Sequence, residues 1–255
     1  MISSVLDNER TGFVHEVFSG IQGEGLYVGE RQIFVRLAGC NLECPYCDTG
    51  FSRQIPPSCA AEMTAGKRDF EVLQNPLSIS RLSTILAALN SQPSLHHSVA
   101  ITGGEPLVQC DYTAELSCAA RALGLKVFLE TNGTLPQALG QVLPFLDIVS
   151  MDIKLGVEAE EIMQKHRDFL KLAAQCEVYT KIVVTRETSE NELDCAAEMI
   201  AGVDSTIPLI LQPVTPVNGV IPPTPDQVLT WQARCKQRIQ TVRVIPQCHK
   251  FIGQM

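Results

Sequence analysis

Residues 36–50 read RLAGCNLECPYCDTG and continue a run, IFVRLAG (33–39), that reads as a β-strand. Three cysteines, Cys40, Cys44 and Cys47, fall within eight residues in the spacing C-x3-C-x2-C. A structural zinc site is closed by four Cys or His ligands, often two separated pairs. No fourth ligand is evident here. His15 and His249 serve only if the fold brings them in, and the adjacent Asp48 is a poor completion for a soft thiolate set. A [4Fe–4S] cluster also normally takes four cysteines. Three leave one iron with an open position, and an open metal position is where a ligand binds and chemistry happens.

Outward from this loop, short apolar runs alternate with amphipathic ones. Strands are predicted in SVAITGGEP (98–106), KVFLETNG (126–133), LDIVSMDIKL (146–155), EVYTKIVVT (177–185), TIPLILQPV (206–214) and QTVRVIPQ (240–247). Helices are predicted over 78–90, 112–124, 135–144, 166–176, 190–202 and 224–238. Repeated β–α units with buried-looking strands predict a parallel sheet. Polar residues gather at the C-terminal strand ends: Cys40 and its partners, Gly103 to Pro106, Glu130 to Gly133, Ser150 to Lys154, and Gln212. In a (β/α) barrel that end is the active-site face. Six or seven units are too few to close eight strands, so the expected fold is α/β, a partial, open (β/α) barrel. Two segments break the rhythm: a glycine-rich lead-in (12–32) and a polar connection (50–77) of the length typical of a lid or a disordered loop. No domain boundary shows, so residues 1–255 read as one domain.

Composition narrows the function. The 255 residues are 45% hydrophobic and 19% charged, enough apolar content for a sizeable core. Net charge is −8, and no Lys/Arg cluster provides the basic footprint of a nucleic-acid groove. No apolar run approaches a membrane span and no leader pattern opens the chain, so a cytoplasmic protein with reduced thiols is expected. Seven further cysteines are scattered without a CxxC, and most read as buried small hydrophobes rather than a second metal site.

The cysteine triad after the first barrel strand, followed by TGGEP (102–106), resembles the radical SAM superfamily. The resemblance implies that the open iron of a [4Fe–4S] cluster is chelated by S-adenosylmethionine (SAM). An electron from the cluster then breaks a C–S bond and releases a 5′-deoxyadenosyl radical. In that superfamily the GGE-type turn holds the amino group of SAM. Gly103 and Gly104 permit close backbone approach, Glu105 adds charge and Pro106 fixes the turn.

Within the superfamily, EVFSGIQGEGLYVGERQIFVRLAGCNLECPYCDT (16–49), TGGEP, ETNGT (130–134), SMDIKL (150–155) and PQCHKFIG (246–253) resemble the 7-carboxy-7-deazaguanine synthase family over nearly the whole chain. That family implies a carbon–nitrogen lyase of queuosine and related deazapurine biosynthesis. It converts 6-carboxy-5,6,7,8-tetrahydropterin to 7-carboxy-7-deazaguanine with loss of ammonia and dependence on Mg2+. A homodimer and an electron donor such as flavodoxin are implied, with no nucleic acid or membrane partner.

Residue by residue, the resemblance assigns the substrate carboxylate to Arg36, whose planar fork suits it. The pterin goes to Ile21, Gln22, Gly23 and Glu24 of the IQGEG loop, with Thr102 and His249. SAM falls to Tyr46, Cys47, Asp48, Gly103, Gly104, Glu105, Glu130, Ser150, Asp152 and Lys154, and on later strands to Lys181 and Gln212. Lys181 reads equally as a paired core lysine. Thr49 is implied as the Mg2+ ligand, although its position alone also suits a helix N-cap or a turn. The tail (246–255) is expected to pack over the barrel mouth, with the carboxylate of Met255 near the substrate. Cys248 stands where the family commonly has threonine, and 50–77 has no assignable match. Other readings are a different small radical SAM enzyme, such as a glycyl-radical-enzyme activase, or a non-catalytic metal-binding or redox module. Direct action on tRNA is disfavoured by the acidic charge.

Overall fold

Ten strands form one sheet, and the computed structural model describes residues 9–156 and 159–254. In chain order the strands are β1 (Thr11–Gly12), β2 (Val14–Ile21), β3 (Arg31–Leu37), β4 (Ser58–Glu62), β5 (Phe70–Gln74), β6 (Leu77–Ser78), β7 (Ser98–Gly103), β8 (Lys126–Thr131), β9 (Ile148–Asp152), β10 (Glu177–Val184), β11 (Leu209–Pro213) and β12 (Val242–Val244). β1 and β6 pair separately. The main sheet runs β12-β11-β10-β9-β8-β7-β3-β2-β4-β5. From β12 to β3 every pairing is parallel. β2 then runs antiparallel to β3, β4 parallel to β2, and β5 antiparallel to β4. β12 and β5 are the two edges and do not pair with each other, so the barrel is partial and open.

The connecting helices are α1 (Ile79–Leu89), α2 (Cys110–Ala122), α3 (Pro136–Val142), α4 (Ala159–Ala173), α5 (Glu190–Asp204) and α6 (Pro225–Cys235), with a last turn, α7 (Cys248–Phe251). Their starts follow from sequence. The Ser78 hydroxyl accepts from Arg81 N, and capping boxes Ser189–Glu192 and Thr224–Gln227 open α5 and α6. In α1, Leu82, Ile85, Leu86 and Leu89 repeat at helical spacing and are fully buried. Each such side chain contributes about 1.5–3 kcal/mol by leaving water.

Strand alternation divides the core. Outward residues such as Ile33, Val35, Val99, Ile101, Val127, Leu129, Ile182 and Leu211 belong to the large cluster shared with the helices. Inward residues Phe34, Ala100, Phe128, Ile148, Tyr179 and Ile210 form a second apolar cluster inside the barrel, joined by Phe18 of β2. Successive side chains on a strand face opposite sides, so the next inward residue is two positions on. That step leads to Arg36, Thr102, Glu130, Ser150, Lys181 and Gln212: a polar layer stacked on an apolar one.

Three expectations need correction. The lead-in 12–32 does not merely precede the first strand: it contains β2, which pairs with β3 from Glu16↔Arg36 to Ile21↔Arg31. The connection 50–77 is neither lid nor disordered, because β4 and β5 extend the sheet from it. Of the seven scattered cysteines only Cys59 and Cys235 are buried, while Cys118 and Cys195 are exposed. In addition, α4 begins at Ala159, ahead of the expected 166, and β9 ends at Asp152, so Lys154 lies just past the strand.

Candidate active site

The C-terminal strand ends enclose a cavity of about 520 Å³. It is lined by the thiol-bearing residues Cys40, Cys44 and Cys47, the inward polar layer, the IQGEG loop and the tail. Ile21, Gln22, Gly23, Glu24, Arg36, Tyr46, Asp48, Thr49, Thr102, Gly103, Gly104, Glu130, Ser150, Asp152, Lys154, Lys181, Gln212 and His249 all reach this wall. Met255 lies outside the described residues.

Glu105 does not reach it. The carboxylate is fully buried and accepts hydrogen bonds from Leu107 N (3.0 Å), Thr131 Oγ1 (2.9 Å) and Asn132 N (2.7 Å). Burial pushes this acid up to about 7 despite those donors. The carboxylate thus faces the protein interior, bonded to the strand end of β8 and its own turn. Gln22 lines the cavity with its amide bonded inside the protein. Its amide nitrogen donates to Gln32 Oε1 (2.9 Å) and Glu130 Oε1 (2.8 Å), and its Oε1 accepts from Glu24 N (3.0 Å). These bonds hold the loop in place at the cavity wall.

Most charged groups in the wall are paired with an opposite charge. Arg36 Nε donates to Glu16 Oε1 at 2.6 Å, a contact set by the β2–β3 register. Lys154 Nζ meets Asp152 Oδ2 at 2.9 Å and lies 5.4 Å from the Tyr46 ring centroid. Lys181 bonds Glu24 and lies 3.5 Å from Asp152 Oδ2. Burial disfavours both ammonium groups, yet Asp152 beside Lys154 and Glu24 beside Lys181 keep them charged above the ordinary lysine range. Burial likewise opposes the Glu24 carboxylate, but the Lys181 charge holds it down at about 2. Glu130 accepts from Thr102 Oγ1 at 2.7 Å as well as from Gln22.

The tail closes one side. Cys248 N donates to Gly23 O at 2.8 Å, and Lys250 Nζ meets Asp48 Oδ2 at 2.7 Å. Gln247 Nε2 bridges Glu24 Oε1 (2.8 Å) and Asp48 Oδ2 (2.9 Å). Asn132, Gln247 and Lys250 lie in the wall within segments the sequence places at the mouth, without an individual role assigned to them, and Glu16 is in the wall with no sequence signal at all. Gln247 and Lys250 flank the His249 that was singled out, so proximity was the available signal. Glu16 required the strand register.

The donor set fits an iron–sulfur cluster with an open iron. The three thiols are free of disulfides and line one cavity. Among the described residues no group of three or more Cys, His, Asp or Glu side chains is placed to hold a single metal ion. Burial raises the Cys40 and Cys44 thiols, so metal uptake must displace protons. Asp152 Oδ1 and Gln212 Oε1 are buried without partners among the described residues, on side chains that line the cavity, as polar ligand recognition needs. Thr49 sits at the N-cap of the 3-10 turn Gly50–Arg53 but makes no capping bond, and its Oγ1 is 3.8 Å from Cys47 Sγ.

An open, largely parallel barrel with a three-thiol loop at its C-terminal mouth defines a radical SAM protein. The sequence model of the Radical SAM superfamily matches residues 34–176. The chain is 42% identical to 7-carboxy-7-deazaguanine synthase of Geobacter sulfurreducens, covering 95% of this chain and 97% of that one. It is 31% identical to the Methanocaldococcus jannaschii protein of the same name, covering 95% and 100%. The fold matches the crystal structure of QueE from Escherichia coli with a TM-score of 0.59 at 20% identity, over 94% of this chain and 95% of that one. A radical SAM methyltransferase from Sphaerobacter thermophilus shares it at TM-score 0.58 and 13% identity, over 86% and 70%. The chain belongs to the radical SAM superfamily and, within it, to the 7-carboxy-7-deazaguanine synthase family. The activase and the non-catalytic module are thereby set aside.

Proposed function

We propose that this protein converts 6-carboxy-5,6,7,8-tetrahydropterin to 7-carboxy-7-deazaguanine and ammonia, as a step of deazapurine biosynthesis. The observation that carries the reading is the shared cavity. One wall holds three free thiols and the other a cation-bearing polar layer built to hold a small polar molecule. The chemistry supplied by a bound [4Fe–4S] cluster and SAM is reductive cleavage of a sulfonium C–S bond, giving a carbon radical able to abstract hydrogen.

This chain's residues bind, orient and exclude water. Cys40, Cys44 and Cys47 hold the cluster. Arg36 has one N–H engaged by Glu16, which orients the remaining fork toward a substrate carboxylate. Glu24, kept anionic by Lys181, accepts N–H groups from the pterin's amino-pyrimidinone edge. Backbone groups of Ile21 and Gly23, with Thr102 and His249, complete that subsite. Tyr46, Asp48, Gly103, Gly104, Glu130, Ser150, Asp152, Lys154 and Gln212 contact SAM. The uncapped Thr49 hydroxyl takes Mg2+ together with waters and substrate oxygens, as suits an ion that keeps most of its waters.

The chain works as one radical SAM domain, in support of which the sheet and helices share one continuous core. We assign it to the cytoplasm, as a homodimer reduced by a flavodoxin-type donor. No described helix is long and apolar enough to cross a membrane. The test is anaerobic: reconstitute the cluster, add SAM, dithionite, Mg2+ and 6-carboxytetrahydropterin, and look for the product by mass. Product formation is expected. 5′-Deoxyadenosine without product would remove the substrate assignment and leave the radical SAM chemistry standing.

A further inference from the structure

The residues flanking Cys40 are both tied down, one by Glu105 directly and the other by a residue that Glu105 holds. On one side, Glu105 N donates to Gly39 O at 2.8 Å, and Gly104 N donates to Leu37 O at 3.3 Å. The approach is close: a Cβ on Gly104 would lie 2.1 Å from Gly39 O and 2.9 Å from Cys40 Cβ. On the other side, Asn41 enters a closed ring of three side chains. Asn41 Nδ2 donates to Thr134 Oγ1 (2.8 Å), Thr134 Oγ1 donates to Asn132 Oδ1 (2.6 Å), and Asn132 Nδ2 donates to Asn41 Oδ1 (2.9 Å). Each group donates once and accepts once around the ring, so turning over either amide would face donor against donor.

The ring is itself anchored. Glu105 Oε2 accepts from Asn132 N at 2.7 Å, and Glu105 Oε1 accepts from Thr131 Oγ1 at 2.9 Å. Asn132 O lies 3.0 Å from Nε2 of His166, a fully buried residue of α4. Asn132 and Thr134 are nearly buried, whereas Asn41 reaches them from the surface.

Followed around, these contacts form a clasp: Gly39, Cys40 and Asn41 on the loop, then Asn132, then Glu105, and back to Gly39. Glu105 is its node, with the backbone N–H holding one flank of Cys40 and the carboxylate holding the group that holds the other. We propose that this clasp sets the position of the Cys40 thiol before any metal arrives, and that Asn41, Asn132, Thr134 and Glu105 are positioning residues for the cluster. The proposal rests on the reading of Cys40, Cys44 and Cys47 as cluster ligands. It gives Glu105 of the GGEP turn a role that does not require it to touch SAM.

The test uses the full chain, reconstituted anaerobically. Thr134→Val removes one hydroxyl at constant volume and opens the ring at two bonds; Asn41→Ala opens it from the exposed side. Outer partners of metal ligands commonly contribute about 10- to 100-fold in metal affinity. Both variants should therefore lose iron to a ferrous chelator about tenfold faster than the parent. The electron paramagnetic resonance (EPR) spectrum of the reduced cluster should change, and Thr134→Ser should restore both properties. Thermal unfolding of the metal-free proteins separates the effect from general destabilisation. Parent-like iron loss and spectra in both variants would overturn the clasp alone. A parent protein that takes up no cluster, with Cys44→Ala behaving identically, would overturn the ligand assignment and the clasp together. Loss of iron without rescue by Thr134→Ser would also refute it.

Discussion

Replacing Lys181 with methionine removes an ammonium from the middle of the site and keeps most of the side-chain volume. Glu24 is the group that responds. Burial on its own raises this carboxyl, but the Lys181 charge, its hydrogen bond and that of Gln247 hold it at about 2 against an ordinary 4.5. The folded value lies below the unfolded one. The contribution is therefore complete above the unfolded value and lost as pH falls toward the folded one. That difference corresponds to about 3 kcal/mol, close to the roughly 3–5 kcal/mol cost of removing one member of a buried pair.

In Lys181→Met the main opposing charge is gone and burial dominates. Glu24 then moves above its unfolded value, and the sign reverses: the folded state favours the neutral acid and stability falls as pH rises. The variant should be about 3 kcal/mol less stable than the parent near pH 7, which for a chain of this length is about 6–12 °C in Tm. The deficit should narrow as pH is lowered toward about 4.5. Adding Glu24→Gln should recover more than half of it, since the buried charge is then absent. Anaerobic urea denaturation followed by circular dichroism at both pH values measures this directly. A loss below about 1 kcal/mol, or a deficit independent of pH, would refute the reasoning.

Other perturbations act on recognition. Arg36→Ala should leave cluster content intact and raise KM for the pterin about 10- to 100-fold, the value of a charge-assisted bidentate contact; an unchanged KM would remove the carboxylate role. Gly23→Ala places a Cβ 2.3 Å from His249 Nδ1 and 2.4 Å from its backbone nitrogen. The tail should be displaced, with faster proteolytic trimming and a higher KM, and a protected tail with normal KM would contradict this. Thr49→Val keeps the side-chain volume and removes the oxygen, so half-maximal activity should need several-fold more Mg2+ with unaltered cluster spectra. An unchanged Mg2+ titration would take Thr49 out of the metal site.

Much of this protein is local and was therefore legible in its sequence. The C-x3-C-x2-C spacing, the β–α rhythm and the polar residues at strand ends need only the two periodicities of regular structure. Phe34 then Arg36, Phe128 then Glu130, and Tyr179 then Lys181 each step from the apolar layer to the polar one within a single strand. What the sequence left open was decided by partners distant in the chain. VHEVFSGI carries Ser19 and Gly20, weak strand formers, and becomes β2 because β3 and β4 supply hydrogen-bonding edges on both sides. That pairing alone brings Glu16 to Arg36. The GGEP turn looks the same whether Glu105 faces the cavity or the interior; donors from Leu107, Thr131 and Asn132 turn it inward, because a buried carboxylate must be hydrogen-bonded. The tail reaches the mouth through Gly23, Glu24 and Asp48, which lie some two hundred residues earlier. Local spacing thus determined which groups this protein owns, and tertiary pairing decided which of them face the cavity and which hold the others in place.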